Sequence, residues 1–279
     1  AKKVETAAQK IADHRKESRI ILLSGPSGSG KTTTALKIEE QLEKMGIQTH
    51  TISMDNYFNT IDPETAPRNR EGAIDYESPF CLDIELLNRH FSMLDRGETI
   101  HVPKYEFARQ MRSDILSQPL KLGPDELAIF EGIHALNPEV TGYDGRTTRI
   151  YVSVRTRITP RSGHPLHPSK IRLVRRMLRD STGRGRALSE TIAMRERVDR
   201  GEQRYIMPFK PRAHGSIDSF YSTELGVYRP LLLDDLERLA LPELSDMVEV
   251  MRELPDVPAD LVPQDSLLRE FIGGSTLPY

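Results

Sequence analysis

Short apolar runs alternate with amphipathic stripes along the first part of the chain. Apolar runs predict buried strands at residues 20–23, 50–54, 127–130 and 150–154. Two stripes at helical spacing predict helices between these runs: Ala35, Ile38, Leu42 and Met45, and then Ile84, Leu87, Phe91 and Leu94. Short buried strands that alternate with amphipathic helices indicate a parallel α/β sheet.

Two stretches lack either periodicity and contain several prolines. Residues 60–78 and 157–168 are therefore predicted to be long loops. Long loops in a compact domain often carry function, so both are candidates for segments that cover a site. Near the end of the chain, Leu267, Leu268, Phe271 and Ile272 form one apolar stripe, which we expect to dock on the core or on a second subunit.

Composition narrows the class of protein. The 279 residues carry a formal net charge of −2, so no global basic field favours wholesale nucleic-acid binding. The single cysteine, Cys81, excludes an internal disulfide framework and suits a reducing compartment. Neither a membrane-spanning run nor the apolar core of a signal peptide stands in the sequence, and we expect a cytoplasmic protein without membrane contact.

The clearest motif follows the first predicted strand. Gly25-Pro-Ser-Gly-Ser-Gly-Lys31-Thr32 matches the phosphate-binding P-loop pattern and precedes a predicted helix. The glycines allow backbone N–H groups to surround phosphate oxygens, Lys31 supplies a charge to the β- and γ-phosphates, and Thr32 offers a hydroxyl to Mg²⁺. A glycine-rich turn that binds nothing is the alternative, and the full spacing with both flanks disfavours it.

Two carboxylates stand directly after predicted strands. Asp55 follows the second strand, and Glu131 follows the run 127–130. Ligands bind at the carboxyl ends of parallel strands, and phosphoryl transfer to an alcohol needs a carboxylate near the acceptor hydroxyl. Asp55 is therefore a candidate acceptor base and Glu131 a candidate Mg²⁺ carboxylate. A helix cap for Asp55 and a purely structural Glu131 are the alternatives.

One predicted helix carries arginines on a single face: Arg172, Arg175, Arg176 and Arg179, with Arg184 and Arg186 directly after it. This density favours polyanions, because guanidinium groups match phosphate geometry. We interpret the segment as a lid that closes over ATP and supplies charge to the transition state. A solvated face paired with Asp180 and Glu190 is an alternative, and nucleic acid is disfavoured because few aromatic residues are interleaved.

Six motifs together carry a family resemblance: GPSGSGKT at 25–32, SMDNYF at 53–58, IDYESP at 74–79, VPKYEFARQMR at 102–112, FEGI at 130–133 and RRMLRDSTGRGR at 175–186. They resemble the uridine kinase and phosphoribulokinase group of P-loop kinases over about residues 19–235. The segments 200–209 and 266–275 resemble a bacterial branch of nucleoside kinases. That branch is often fused behind a threonyl-tRNA-synthetase-like region, and a start at Ala1 without methionine fits such a fused N-terminal domain outside this chain.

The resemblance implies an α/β P-loop NTPase fold with an arginine-rich lid at about 169–190. It implies a helical extension at 1–18, a kinase domain at 19–235 and a C-terminal extension at 236–279 that packs on the core. The implied reaction is ATP-dependent phosphorylation of a uridine- or cytidine-like nucleoside at its 5′-hydroxyl, with Mg²⁺ as cofactor. Nucleoside and ATP are then the partners, and a homo-oligomer is left open.

The resemblance also implies roles for individual residues. Asp55 receives the hydroxyl proton, Asp75 accepts from the ribose hydroxyls, and Tyr105 with Phe107 flanks the base. The remaining substrate contacts are Gln110, Arg112 and Arg176. Catalysis is assigned to Asp55, Lys31 and Arg179, and metal binding to Thr32 and Glu131. The implied ATP contacts are Gly25, Ser27, Gly28, Ser29, Gly30, Lys31, Thr32, Thr33, Arg184 and Arg186. Tyr105 and Phe107 as ordinary core aromatics are the alternative.

Two departures from the family pattern leave the base identity open. Gln110 stands where uridine and cytidine kinases commonly carry a histidine, and Met194 replaces a glutamine near the end of the lid. A glutamine both donates and accepts hydrogen bonds, so Gln110 is able to read a pyrimidine edge. The rival functions are a phosphoribulokinase-type kinase of a sugar phosphate, with Arg68, Arg70 and Arg109 as a second phosphate cluster, and a non-catalytic ATP-binding regulatory module.

Overall fold

The computed structural model describes residues 2–115, 117–142 and 146–278. Its α-helices are α1 Lys2–His14, α2 Lys31–Lys44, α3 Ile84–Asp95, α4 Pro168–Arg184, α5 Leu188–Ala193, α6 Arg195–Tyr205, α7 Glu224–Leu239, α8 Ser245–Glu253 and α9 Arg269–Ile272. Its strands are β1 Ile20–Ser24, β2 Thr49–Ser53, β3 Ile100–His101, β4 Tyr105–Glu106, β5 Met111–Arg112, β6 Pro119–Leu120, β7 Leu127–Glu131, β8 Thr147–Ser153 and β9 Gly215–Asp218. Short 3₁₀ helices span Met54–Tyr57, Pro79–Cys81, Met207–Arg212, Pro242–Leu244 and Ala259–Leu261.

The main sheet confirms the predicted parallel α/β fold. Its strand order is β2-β7-β1-β8-β9, and β1 runs parallel to β7 and β8 while β2 runs parallel to β7. Every residue of β1 and β7 is buried. Strands that are buried on both faces have continuous apolar sequences. The apolar runs of β1 and β7 therefore predicted these two strands.

Helix α3 packs on one face of this sheet as its stripe predicts. The side chain of Asp83 caps the helix by accepting from the Leu86 N–H at 2.9 Å. Leu87, Phe91 and Leu94 are wholly buried, and the Phe91 ring meets the Phe130 ring edge to face at 4.7 Å between centroids. An apolar face with a polar cap is sufficient to set both the start and the orientation of this helix.

The stripe predicted for α2 is correct except at its last position. Ala35, Ile38 and Leu42 are wholly buried, whereas Met45 is 41% exposed. The helix ends at Lys44, and Gly46 turns the chain in a left-handed conformation with φ of 77°. Met45 therefore lies in the turn and leaves the face that it would have continued.

The loop prediction is confirmed for residues 60–78 and 157–167, where the chain forms no helix and no strand. It is wrong at its last residue, because Pro168 is the first residue of α4, a position that tolerates proline. An isolated bridge lies within each loop, Arg68 to Ile74 and Ile158 to Leu166. Among the described residues no helix is long and apolar enough to cross a membrane.

The chain divides into two compact units that are each discontinuous in sequence. The first unit comprises Ala1–Pro26, Ala35–Tyr151 and Arg197–Ile217, and the second comprises Ser27–Thr34, Val152–Glu196 and Asp218–Tyr279. The ends of the chain, Ala1 and Tyr279, lie outside the described residues. The family resemblance implies three consecutive segments, 1–18, 19–235 and 236–279, whereas the two units are defined by packing. The three-part division stays a prediction.

Each unit has its own apolar core. In the first unit, residues of β1, β2, β7 and α3 share a cluster. In the second unit, α4 and α7 supply the centre of the cluster, and Leu267, Leu268 and Phe271 near the chain terminus are buried in it. The apolar stripe at 267–272 is thus covered within the unit to which it belongs.

Candidate functional site

In the first unit, the carboxyl ends of three strands lie side by side. Glu131 at the end of β7 is in register with Leu23 of β1 on one side and with Ser53 of β2 on the other. Its side chain is only 4% exposed. The chain enters the P-loop directly after β1 and reaches Asp55 two residues after β2, so the two predicted carboxylates start from one sheet edge.

Asp55 lies on a short, capped turn. The Ser53 hydroxyl accepts from the Asp55 N–H at 3.4 Å and caps the 3₁₀ helix Met54–Tyr57. Asp55 itself is exposed, whereas its neighbours Met54 and Tyr57 are buried. Buried residues on both sides fix the turn, and they hold an accessible carboxylate beyond the strand end.

A buried polar pair supports this turn from inside. The Tyr57 hydroxyl is hydrogen-bonded to Nδ1 of His90 at 2.8 Å. Burial lowers the pKa of His90 to about 4, so its imidazole is neutral at neutral pH. Burial also raises the pKa of Tyr57 above its ordinary value. The pair is therefore an uncharged hydrogen bond that anchors the end of the Asp55 turn to α3.

Gly132 explains how closely the turns after β2 and β7 approach each other. A Cβ at this position would lie 2.8 Å from the Cβ of Met54, nearer than packed carbon atoms allow. The Gly132 N–H also donates to the Leu23 carbonyl at 3.1 Å, which extends the pairing of β7 with β1 past Glu131. A side chain at 132 would push the Asp55 turn away from Glu131.

Asp75 is buried and held by two donors. The Tyr205 hydroxyl donates to one carboxylate oxygen at 2.8 Å, and the Glu77 N–H donates to the other at 3.2 Å. Burial, together with the hydrogen bond to Asp75, raises the pKa of Tyr205, so this tyrosine is a dependable donor. No role is predicted for Tyr205 from the sequence, although it lies in the segment 200–209 that carries part of the family resemblance.

Three aromatic rings cluster near the β4–β5 hairpin. Ring centroids are 5.0 Å apart for Tyr105 and Phe107, 5.5 Å for Phe58 and Tyr105, and 6.1 Å for Phe58 and Phe107. Tyr105 is buried, but Phe107 is 56% exposed. The alternative of ordinary core aromatics therefore fits Tyr105 and does not fit Phe107. Exposed aromatic surface of this kind suits a planar ligand.

The hairpin also places Gln110 and Arg112, which were predicted to contact substrate. Gln110 is exposed and has a left-handed backbone with φ of 51°. Arg112 donates to the Asp83 carboxylate at 2.9 Å and to the carbonyls of Tyr57 and Phe58 at 3.2 and 3.3 Å. Arg112 thus fastens the hairpin to the Asp55 turn, a supporting role that its sequence position did not indicate.

A cavity of about 250 Å³ adjoins Asp75. Its lining combines the loop 69–75 with α6: Asn69, Arg70, Glu71, Asp75, Arg197, Arg200, Gly201, Arg204 and Tyr205. Arg197 stacks over Tyr76 and Arg204 over Tyr205, at 5.6 and 4.9 Å from the ring centroids. Arg200 is paired with Glu71. Arginines outnumber carboxylates in this lining, which favours an anionic group.

The second unit contains residues 27–34, which comprise most of the phosphate-binding loop and the first residues of α2. Gly28 and Gly30 are left-handed with φ of 73° and 77°, and Lys31 is the first residue of α2. Arg172 donates to the Ser27 carbonyl at 3.3 Å. The loop therefore has the backbone of an anion-binding cradle at a helix N-terminus, and α4 holds its carbonyl side.

The prediction that four arginines of α4 face a ligand is wrong for Arg175. This side chain is completely buried and bonds Glu224 twice, at 2.7 and 3.0 Å. It also donates to the Gly28 carbonyl at 3.2 Å. Burial alone lowers the pKa of a guanidinium, but the Glu224 carboxylate outweighs it and raises the pKa of Arg175. Arg175 is a structural charge inside the unit.

The other predicted arginines surround the loop and one buried carboxylate. Arg179, Arg184 and Arg186 all pair with Asp180, at 3.0, 3.3 and 3.4 Å. The Asp180 side chain is 5% exposed, and its buried carboxylate binds all three guanidinium groups. Arg176 is 6% exposed and packs against Gly28, where an added Cβ would lie 3.3 Å from its Cγ. Their contacts with ATP or substrate stay predictions.

The oxygen donors predicted for a metal suit magnesium. Mg²⁺ in phosphoryl-transfer sites takes one or two carboxylates together with substrate phosphates. Glu131 is a buried carboxylate at a strand end, and Thr32 is a hydroxyl in the first turn of α2. Within the described part of the chain no three His, Cys, Asp or Glu residues form a group that could hold a metal. The contacts of Thr32 and Glu131 with Mg²⁺ stay predictions.

Comparisons with known proteins agree with this arrangement. Residues 20–225 match the model of the family described as Phosphoribulokinase / Uridine kinase family. A protein named uridine kinase from Staphylococcus aureus (strain JH9) is 32% identical over 177 residues, which cover 63% of this chain and 75% of that protein. Another named uridine kinase, from Limosilactobacillus reuteri (strain DSM 20016), is 29% identical over 199 residues, which cover 71% and 77%.

A solved structure supports the fold alone. The D-glycerate 3-kinase from Cryptococcus neoformans var. grubii serotype A aligns with a TM-score of 0.50 at 17% identity, over 72% of this chain and 87% of that one. An identity this low carries no information about substrate.

Proposed function

The chain belongs to the phosphoribulokinase and uridine kinase family, and from this premise we propose that it transfers the γ-phosphoryl group of ATP to the 5′-hydroxyl of a uridine- or cytidine-like nucleoside. The coarser statement, a phosphotransferase of this family, rests on the family match. The finer one rests on the acceptor residues of the first unit and on the nucleoside kinases among the relatives.

The observation that carries the proposal is the sheet edge at Glu131. Register places the ends of β1 and β2 on either side of Glu131, and Asp55 stands exposed on a capped turn after β2. A regulatory module that only binds ATP has no need of an accessible carboxylate at this point. An acceptor hydroxyl does need one, because its proton must leave as the new P–O bond forms.

In the proposed reaction, the acceptor oxygen bonds to the γ-phosphorus while the bond from that phosphorus to the β,γ-bridging oxygen breaks and ADP leaves. Asp55 receives the hydroxyl proton. Backbone N–H groups of residues 27–32 and the Lys31 ammonium hold the phosphate oxygens. When bound with the nucleotide, Mg²⁺ supplies further neutralisation of the phosphate charge, and Thr32 and Glu131 are its proposed protein partners.

The aromatic cluster and Asp75 support a nucleoside as the acceptor. Phe107 presents more than half of its surface beside Tyr105, which suits the flat face of a base. Asp75 is fixed by Tyr205 and Glu77, and a buried carboxylate held in this way is a good acceptor for vicinal hydroxyl groups. A nucleoside combines these two features in one molecule.

The arginine-lined cavity favours one second candidate, a kinase of a sugar phosphate. Only Arg70 of the three arginines first considered for a second phosphate cluster lines it. Arg68 donates to carbonyls of its own loop, and Arg109 pairs with Glu106 at 3.0 Å. Arg197 and Arg204 of α6 would then be the phosphate ligands of this candidate.

The experiment that tests the proposal is the substitution Asp55→Asn, with Asp95→Asn as the matched control. Asp95 is an exposed carboxylate at the end of α3. Loss of a general base lowers kcat on the order of 10² to 10⁴-fold, so we expect that decrease for nucleoside phosphorylation in Asp55→Asn. ATP binding, followed by calorimetry, should change less than about threefold because the P-loop is intact.

The two substitutions separate the outcomes. Asp95→Asn should turn over like the wild type. If Asp55→Asn retained full kcat with uridine or cytidine, Asp55 would not be the acceptor base and the proposed reaction geometry would be wrong.

A further inference from the structure

The C-terminal segment 266–272 contacts the phosphate-binding loop within the second unit. The Thr33 hydroxyl donates to the Glu270 carboxylate. The side chain of Leu267 lies against Gly30, where an added Cβ would overlap it. Thr33 is 1% exposed and Leu267 is 5% exposed, whereas Glu270 is partly exposed, so the hydrogen bond is partly shielded from water and the packing contact is buried.

A second connection joins the same segment to the loop through Arg175. The Phe271 ring packs under the Arg175 guanidinium at 5.2 Å, and Arg175 donates to the Gly28 carbonyl. Glu224 completes the charge balance of this buried group. Loop positions 28 and 30, and position 33 in the first turn of α2, are thus each held, directly or through Arg175, by a residue of the segment 266–272.

These contacts bear on nucleotide binding because the cradle depends on backbone conformation. Gly28 and Gly30 adopt left-handed φ values, and their N–H groups point correctly only while those values are kept. A loop held in advance loses less conformational entropy when the phosphates bind. Packing at Gly30 and a charge-assisted hydrogen bond at Thr33 are suited to hold it.

We propose that Glu270 and Leu267 are positioning residues for the nucleotide: they act on the P-loop through Thr33 and Gly30 and raise its affinity for MgATP. The inference rests on the proposed function in one respect, that the loop binds ATP. It assigns to the C-terminal extension a part in donor binding that neither the P-loop motif nor the apolar stripe indicates.

The test of the Thr33–Glu270 contact is a double-mutant cycle on the full chain, with MgATP as the probe and calorimetry as the measurement. Hydrogen bonds to charged groups are strong enough that Thr33→Val and Glu270→Ala should each raise the Kd of MgATP about tenfold. The double variant should also stay at about tenfold, since residues that act through one contact are not additive. Glu270→Gln keeps an acceptor oxygen and should recover affinity to within about threefold of wild type.

Two leucines of the same extension test the packing contact. Leu267→Ala removes the side chain that touches Gly30, whereas Leu261→Ala alters a leucine that is 69% exposed. The first should raise the Kd of MgATP by about five- to tenfold, and the second should leave it unchanged, because only the first contacts the cradle. Glu270→Ala, whose side chain is partly exposed, keeps the inference testable if Leu267→Ala does not fold.

The inference is overturned if Glu270→Ala binds MgATP within about twofold of wild type, or if the effects of Thr33→Val and Glu270→Ala multiply to about a hundredfold. A lowered melting temperature with unchanged Kd would likewise show that the segment only stabilises the unit. Failure of the proposed function is a distinct result, because the wild-type chain would then leave uridine and cytidine unphosphorylated while the Kd of MgATP, and its change in these variants, is still measured.

Discussion

Asp55 and Asp75 are two carboxylates of the same unit in different surroundings. Asp55 is exposed on a turn, whereas Asp75 is buried and accepts from Tyr205 and the Glu77 N–H. An accessible carboxylate is suited to receive a proton, and a carboxylate fixed by donors is suited to orient hydroxyl groups. The different surroundings of the two carboxylates therefore suit the roles that the family resemblance implies, Asp55 as the base and Asp75 as the acceptor for ribose hydroxyls.

Substitution of Gln110 tests whether this side chain recognises the nucleoside base. Gln110→Ala should raise the KM for the preferred nucleoside several-fold more than the KM for ATP, because a group that bonds a base edge discriminates strongly. A non-glycine residue in a left-handed conformation costs roughly 1 kcal/mol, so Gln110→Gly should show the same KM effect with a more stable hairpin. The exposed Gln118→Ala is the control. Equal changes in both KM values would place Gln110 outside the base pocket.

His90 predicts a pH dependence of stability. Its pKa falls from 6.5 to about 4 on folding, first because of burial, so between those pH values the unfolded chain binds a proton that the folded chain does not. The free energy of unfolding should then decrease as pH drops from about 6.5 to 4, by an amount on the order of 2 kcal/mol. Urea unfolding of His90→Gln should show a flatter decrease, and the exposed His164→Gln should follow wild type. Parallel curves for wild type and His90→Gln would contradict this assignment.

Among the elements, those with local signatures were predictable and those with distant partners were not. The P-loop and the ends of β2 and β7 follow from spacing within a few residues. The spacing of α4 placed Arg175 on a common face with its neighbours, but it could not show that Glu224, 49 residues on, buries it. The same holds for Tyr205 with Asp75 and for Glu270 with Thr33, which are 130 and 237 residues apart. No period in a sequence encodes such a pair.

The C-terminal extension is expected to stabilise the second unit. Removal of residues 264–279 should lower the melting temperature, because the core of the second unit loses Leu267, Leu268 and Phe271. Burial of each such side chain stabilises a fold by about 1.5 to 3 kcal/mol. The apolar stripe alone predicts this loss of stability. From the proposed action of Leu267 and Glu270 on the P-loop we also expect weaker MgATP binding in the folded fraction, measured by calorimetry below the unfolding temperature. Unchanged melting temperature and affinity would show that the extension is dispensable.

For the whole molecule, a net charge of −2 conceals a strongly uneven distribution. Arginines of α4 surround the P-loop and Asp180, and a second group from α6 and the loop 69–75 lines the cavity beside Asp75. The absence of a global basic field is consistent with these local groups of arginines. The net charge could not distinguish a phosphate donor site from an acceptor site with an anionic group, since that distinction depends on which arginines fold together.

The central claim is that a nucleoside 5′-hydroxyl accepts the phosphoryl group. The most direct measurement is ADP release by the wild-type chain with MgATP and one of five additions: uridine, cytidine, 5′-deoxyuridine, a pentose phosphate, or no acceptor. We predict rapid ADP release with uridine or cytidine, together with an equal amount of the 5′-monophosphate. Release with the other three additions should stay at background: 5′-deoxyuridine lacks the hydroxyl that reacts, the pentose phosphate is not a nucleoside, and the last sample has no acceptor. ADP release that is fast with the pentose phosphate, or equally fast without an acceptor, would contradict it.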